Sequence, residues 1–204
     1  MRLPVIDRST AQPIGGPLTS QDWRHPLWLA LLVAASIVFS LALACAVPLA
    51  AFAAAAALSL SRRDGLVLIL MVWLANQLVG FTLLDYPWTA SAFAWSVSLG
   101  AVAILATLAS QSMAIWFKSS ARGTTVAATF LIAFAVYEAA LFAISATLLG
   151  GTEIYTLAIQ GRIFGINTAA FVGLLALNHL AASVGLASGR RIMLSTNEQH
   201  ASVG

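Results

Sequence analysis

The chain has 204 residues, of which 60% are hydrophobic and only 8% are charged, with a formal net charge of +3. A soluble domain carries about 25% charged residues, so this composition excludes a water-soluble globular enzyme. The scarcity of polar residues also excludes a disordered chain, and a single cysteine, Cys45, excludes a disulfide scaffold.

The N-terminal apolar stretch is too long for one membrane helix. No charged residue occurs between Pro26 and Ser61, and one helix over that stretch would be about 54 Å long, nearly twice the hydrocarbon thickness. Pro48 stands where a break is needed, because proline is tolerated at the first position of a helix. The six predicted spans are roughly Leu27–Cys45, Val47–Ser61, Leu66–Leu84, Ala92–Phe117, Thr124–Leu149 and Ile163–Ala187.

The charges of the loops predict the orientation of these spans. With a cytoplasmic N-terminus, nine of the ten basic residues lie in cytoplasmic segments and only Arg162 lies outside, as the positive-inside rule requires. Merging the first two spans would place six or more of them outside. The sequence therefore predicts an all-α polytopic protein of the inner (cytoplasmic) membrane, a bundle of six transmembrane helices with both termini inside. Residues 1–25 and 192–204 are predicted cytoplasmic tails of the transmembrane domain, 26–191.

Polar side chains within the predicted spans are the strongest functional signal. Glu138 lies near the middle of the fifth span, and His179 lies in the inner half of the sixth, beside Asn178. Asn76 and Gln77 lie near the midplane of the third. Counting the rise from each span centre places these groups within a slab about 10 Å deep. Because ionisable groups in hydrocarbon are costly, they are candidates for a functional site. The alternative is a network of hydrogen bonds that only ties the helices together.

A second polar group is expected at the outer side of the bundle. Trp and Tyr are common at membrane interfaces, so most of its aromatic residues are expected to be anchors. Arg162 has two interpretations, an ion pair with Glu153 or Asp85, or a contact with an anionic group of a ligand. We predict an outward-facing ligand site built from Asn76, Trp95, Arg162 and Asn167, with Glu138 at its floor. Gln77 and His179 complete the set of candidate ligand-binding residues.

Several kinds of chemistry have no matching motif. The chain has no Walker A sequence, no HExxH and no paired cysteines, so ATP hydrolysis, metalloprotease chemistry and a structural zinc site are not expected. Ser188 and His179 are nine residues apart on one helix, about 13 Å, which does not fit a serine hydrolase. The basic residues form no patch for nucleic acid. We therefore expect no catalytic residue, no metal and no cofactor.

The early spans carry the features of a known family. The stretch Ala30-Leu31-Leu32-Val33-Ala34 has an Ala-x-x-x-Ala spacing, and the second span runs from Pro48 to Arg62-Arg63. With six helices of this length over roughly residues 26–190, the chain resembles the substrate-binding S-components of energy-coupling-factor vitamin and metal transporters. This resemblance implies a substrate site in the outer half of the bundle and docking to an ATPase-driven membrane partner through the first helices.

These observations leave two main functions open. The first is a transport or substrate-capture subunit for a small solute, without its own ATPase and working with an energy-coupling membrane subunit. The second is a non-catalytic accessory or assembly subunit of a larger membrane complex, favoured by the smooth, alanine-rich second helix. A membrane enzyme is a third class, but no constellation of residues supports it.

Overall fold

The computed structural model describes residues 23–43, 47–117 and 120–186, and within these ranges the chain is helical and has no strand. This confirms the predicted all-α class. The predicted tail 1–25 lies outside the described residues except for its last three, and the tail 192–204 lies wholly outside, as does Cys45. The helices are α1 (Arg24–Leu43), α2 (Leu49–Ser59), α3 (Arg62–Leu83), α4 (Ala90–Trp116), α5 (Arg122–Ile144) and α6 (Leu157–Ser183).

Five of these helices are long and apolar enough to cross a membrane, namely α1, α3, α4, α5 and α6. The chain is therefore suited to be a multi-pass membrane protein. The helix α2 differs, because its 11 residues span only about 16 Å, against a hydrocarbon core of about 30 Å. The helix α5 continues into a π-helical turn, Ser145–Leu149, and a single 3-10 turn, Thr152–Ile154, precedes α6.

Polar contacts show which helix ends lie together. His25 Nε2 at the start of α1 is 3.6 Å from Asp64 Oδ1 in the first turn of α3. Arg24 Nη1 donates to the carbonyl of Gly185, just after α6, at 3.0 Å. Thr125 Oγ1 in α5 donates to the carbonyl of Phe117 after α4. We call this the basic end of the bundle, since Arg24, Arg62, Arg63 and Arg122 all lie at the helix ends found here.

The helices α1 and α3 run parallel to each other. Both begin at the basic end, and near their other ends Ser40 Oγ lies 3.3 Å from Asn76 Oδ1. The chain that links them, from residue 44 to residue 61, must therefore return to the basic end. Since α2 covers only about 16 Å of that distance, the residues on either side of α2 cover the rest.

The short helix α2 lies at the centre of the bundle. It packs against α3, α4, α5 and α6, and the ring of Phe52 also meets Phe39 of α1 edge to face, with centroids 6.1 Å apart. Its buried residues are Leu49, Ala50, Ala51, Phe52, Ala53, Ala54 and Ala56. Because alanine side chains are small, four neighbouring helices can approach the same short helix closely.

The N-terminus of α2 is completed by a side chain from α6. The N-cap residue is Pro48, which makes no side-chain cap hydrogen bond. Asn167 Oδ1 instead accepts from the backbone N–H of Ala51, at 3.2 Å, while Asn167 Nδ2 donates to the carbonyl of Ile163. The N–H groups of a first helical turn have no partner within the helix, so Asn167 satisfies a donor that would otherwise be unpaired in the core.

Candidate functional site

A cavity of about 220 Å³ lies between α3 and α4, at the end of the bundle opposite the basic end. It combines amide side chains with aromatic surface and has no charged lining residue. Its lining residues are Asn76, Gln77, Tyr86, Pro87, Ala92, Trp95, Ser96 and Leu99. A few polar groups in an otherwise apolar pocket are typical of sites for small organic molecules.

Asn76 is held from the side of α1. Its side chain is buried, and Ser40 Oγ lies 3.3 Å from its Oδ1 and 2.9 Å from the carbonyl of Ser36. The single hydroxyl proton of Ser40 is thus shared between two acceptors. This contact fixes the orientation of Asn76 at the wall of the cavity.

Gln77 has an unsatisfied donor. Its side-chain Nε2 is buried and has no hydrogen-bond partner among the described residues. Burying an amide without a partner costs free energy, about 1–3 kcal/mol in proteins. Gln77 also lines the cavity, but its Nε2 has almost no accessible surface, so a bound molecule with an acceptor oxygen would pair with it only once the side chain turns toward the cavity.

Trp73 and Gly100 set the distance between α3 and α4 beside the cavity. Trp73 Nε1 donates to the carbonyl of Ser96 at 2.8 Å. The indole lies against Gly100, where a Cβ atom would come within 2.8 Å of the ring. The two helices are therefore bridged one turn from Asn76, and the cavity lies on the far side of this bridge from the basic end.

The loop between α3 and α4 lines one side of the cavity. Asp85 has a positive φ of 52°, a left-handed conformation in which Asp is several-fold enriched. This turn lets the Tyr86 N–H donate back to the carbonyl of Gly80 at 3.1 Å. The ring of Tyr86 covers Gly80 so closely that a Cβ there would lie 2.5 Å from it. The loop thus brings Tyr86 and Pro87 over the end of α3.

The structure does not gather the seven predicted ligand residues into one site. Asn76, Gln77 and Trp95 line the α3–α4 cavity, whereas Arg162 and Asn167 do not. Asn167 is occupied at the N-terminus of α2. Arg162 and His179 are both exposed on α6, and neither belongs to an ion pair among the described residues.

Glu138 lies in a different place, between α5 and the start of α6. Its side chain lies near the side chain of Gln160. One helical turn away on either side are Phe134, which meets Phe164 edge to face, and Phe142, which meets Tyr155 in the same way; both centroid distances are 5.0 Å. Burial, and then the nearby Glu138 carboxylate, raise the pKa of the Tyr155 phenol.

The sequence missed part of the cavity wall. Neither Ser96 nor Tyr86 was among the candidate ligand-binding residues. One signal was available in the sequence: Gly100 lies one helical turn after Trp95-Ser96 on α4. A glycine at that position leaves room for the ring of Trp73, so this face of α4 could have been expected to pack on α3. Within the described ranges, no three His, Cys, Asp or Glu residues are grouped as metal ligands would be.

Comparison of the chain with protein-family models, with curated protein sequences and with solved structures finds no match in any of the three.

Proposed function

We propose that the chain is a substrate-capture subunit of a transport system in the cytoplasmic membrane, and that a small uncharged solute binds in the α3–α4 cavity. The sequence has no Walker A motif and so no means of ATP hydrolysis. A separate energy-coupling membrane subunit therefore supplies the energy in this proposal.

The proposal includes six membrane crossings with both termini in the cytoplasm. The basic end carries Arg24, Arg62, Arg63 and Arg122, whereas Arg162 lies in the second turn of α6, which starts at the opposite end. The positive-inside rule assigns such a basic end to the cytoplasm. The return of the chain between α1 and α3 supports α2 as the core of a sixth, partly non-helical crossing.

Reporter fusions test this topology. We expect a reporter inserted after Arg63 to be cytoplasmic and one inserted after Gly151 to be external, because these positions lie at opposite ends of the bundle. Alkaline phosphatase, active only outside, and green fluorescent protein, fluorescent only inside, should give complementary signals at each position. An external reporter at Arg63 would eliminate the short crossing and the six-span topology.

The buried, unpartnered Nε2 of Gln77 is the observation that supports the solute site. A spare amide donor on a residue that lines a cavity without charged residues favours a neutral ligand with a carbonyl oxygen, toward which the Gln77 side chain would turn. Trp95 offers an aromatic surface for a ring. The volume of about 220 Å³ lies between the roughly 150 Å³ cavity that holds benzene and the pockets of about 300 Å³ or more for drug-sized ligands. A single ring with one carbonyl substituent fits this size.

Benzamide, a neutral ring with one carboxamide, is a suitable probe. We expect it to raise the thermal midpoint of the purified full-length protein, because a ligand that binds only the folded state stabilises it by mass action. Gln77→Leu should weaken the apparent affinity by about tenfold, the loss expected for a hydrogen bond whose partner is then left buried. Trp95→Leu should weaken it as well.

Trp116→Leu is the matched control for Trp95→Leu, since Trp116 is 82% exposed at the far end of α4. Its affinity for benzamide should equal that of the unmodified chain. If Gln77→Leu, Trp95→Leu and Trp116→Leu all bound benzamide equally well, the probe would bind outside the α3–α4 cavity. No stabilisation by benzamide or by related neutral one-ring carbonyl compounds would refute the cavity as a solute site.

An accessory subunit is the second candidate function, and an exposed face of α6 favours it. Ala158, Gly161, Gly165, Ala169 and Ala176 are all exposed on this helix, and no atom lies within 4 Å of a Cβ built at either glycine. Small residues at this spacing allow close helix packing in membranes. A subunit of this kind would show no response to benzamide.

A further inference from the structure

The region around Glu138 is a second site with a different chemistry. We call it the carboxylate crevice, formed by Glu138, Gln160, Phe134, Phe164, Phe142 and Tyr155. The backbones of α5 and α6 make little direct contact, since α6 packs chiefly on α2. Large aromatic side chains therefore bridge the gap between the two helices.

The crevice is open to its surroundings. Phe142 is 47% exposed and Phe164 is 38% exposed, and the side chains of Glu138 and Gln160 are partly buried. The site is near the end of the bundle opposite the basic end, because Gln160 lies in the first turn of α6 and Tyr155 in the loop before it. A small molecule or headgroup can thus reach the carboxylate from outside the bundle.

Glu138 has no basic partner in the part of the chain that the structure describes, where the one ion pair joins His25 to Asp64 at the other end. A carboxylate at membrane depth is costly unless it is paired or neutralised. The nearby amide of Gln160 provides no charge. Among the described residues, no positive charge is therefore available to pair with an ionised Glu138.

The side chains of the carboxylate crevice favour an organic cation over a metal ion. Calcium and magnesium ions bind six or more oxygen ligands, whereas this crevice presents one carboxylate among rings. An anion is repelled by Glu138, and a neutral molecule leaves its charge unbalanced. An organic ammonium ion suits both parts of the site, because it pairs with a carboxylate and is also attracted to aromatic faces.

We propose that the carboxylate crevice between α5 and α6 binds an organic ammonium ion, either a free amine or the headgroup of an amine-bearing lipid. The ammonium group contacts Glu138, and its alkyl substituents contact the ring pairs on either side. This site is independent of the α3–α4 cavity, so each proposal can fail without the other.

Tetramethylammonium is the probe for the free amine, used on the full-length protein in a maltoside detergent that carries no ammonium group. We expect a saturable rise in the thermal midpoint. Glu138→Gln should weaken binding at least tenfold, because it removes the negative charge that attracts the cation. Phe142→Leu should weaken it less, since it removes a ring but keeps the charge.

Glu153→Gln is the matched control, because Glu153 is an exposed carboxylate in the loop before α6 and outside the crevice. It should bind tetramethylammonium as the unmodified chain does. Equal loss in Glu153→Gln and Glu138→Gln would overturn the proposal, as would unchanged binding in Glu138→Gln. If Glu138→Gln does not fold, Phe142→Leu and Gln160→Leu replace it. Both should bind tetramethylammonium more weakly than Glu153→Gln does, and unchanged binding in both would overturn the proposal.

Lipid retention distinguishes the two sources of ammonium. After extraction from a mixed bilayer of phosphatidylethanolamine and phosphatidylglycerol, a lipid-binding crevice should retain the ethanolamine lipid, and Glu138→Gln should lose it. Stabilisation by tetramethylammonium without lipid retention assigns the site to a free amine. Neither effect in the unmodified protein would refute the proposal. Benzamide binding should be the same in Glu138→Gln, which separates this test from that of the cavity.

Discussion

Asn167→Leu is expected to destabilise the protein by about 1–3 kcal/mol, the cost of leaving a buried donor without a partner. Leucine has the same number and branching of side-chain heavy atoms as asparagine, so the shape of the contact with α2 is largely kept while the acceptor for the Ala51 N–H is lost. No water is present in a bilayer core to replace it. Thermal unfolding of the purified protein in detergent measures the effect as a lower midpoint.

Asn178→Leu is the control for this substitution. Asn178 lies on the same helix and is half-buried, but it does not contact the N-terminus of α2. Its replacement should leave the midpoint nearly unchanged. Equal midpoints for Asn167→Leu and the unmodified protein would show that the bond between α6 and α2 contributes nothing to stability.

Ala53→Leu is expected to cost a similar amount, about 1–3 kcal/mol, by overpacking. Ala53 has no exposed surface, and α2 has helices on several sides, so three added carbon atoms can be accommodated only if a neighbouring helix moves. In lipid an apolar side chain gains little by burial, so the larger side chain brings no compensating transfer free energy.

Ala101→Leu tests the same change at an exposed position of α4. It should fold with a normal midpoint and yield, whereas Ala53→Leu should lower both. If Ala53→Leu were as stable as Ala101→Leu, α2 would not be the tightly enclosed centre of the bundle.

The positions of the long helices could be predicted because charge and hydropathy mark their ends. The predicted third span, Leu66–Leu84, corresponds to α3, which ends one residue earlier at Leu83. The ends near Arg62-Arg63 and Gly150-Gly151 were harder, since α3 includes both arginines and the helical path continues through a π-helical turn. Composition reports where apolar sequence ends, whereas caps such as Ser61, which accepts from the Asp64 N–H, decide where a helix begins.

The residues of the predicted ligand site were grouped by their depth along each predicted span. Depth alone does not give the direction in which a side chain points. Asn76, Gln77 and Trp95 come together because α3 and α4 form a hairpin that is short in sequence. Arg162 was expected at the entrance to the sixth span, but α6 begins at Leu157. Arg162 therefore lies within the helix, in its second turn, and on an exposed face.

The role of Asn167 could not be predicted from local sequence. Its partner, the Ala51 N–H, is 116 positions away. Pro48 has no side-chain acceptor to cap α2, but the local sequence does not show which distant residue provides one. The interpretation of Asn167 as a ligand residue stays untested, but its two amide atoms are already engaged within the protein.

The bond between Asn167 and Ala51 also bears on the order in which the protein can be assembled. A ribosome completes α2 long before it reaches α6, so for a time the Ala51 N–H lacks its acceptor on Asn167. The faces of α2 that α4, α5 and α6 later cover are also still open then. The first half of the chain therefore reaches its final packing only when the last helix has been synthesised and inserted beside it.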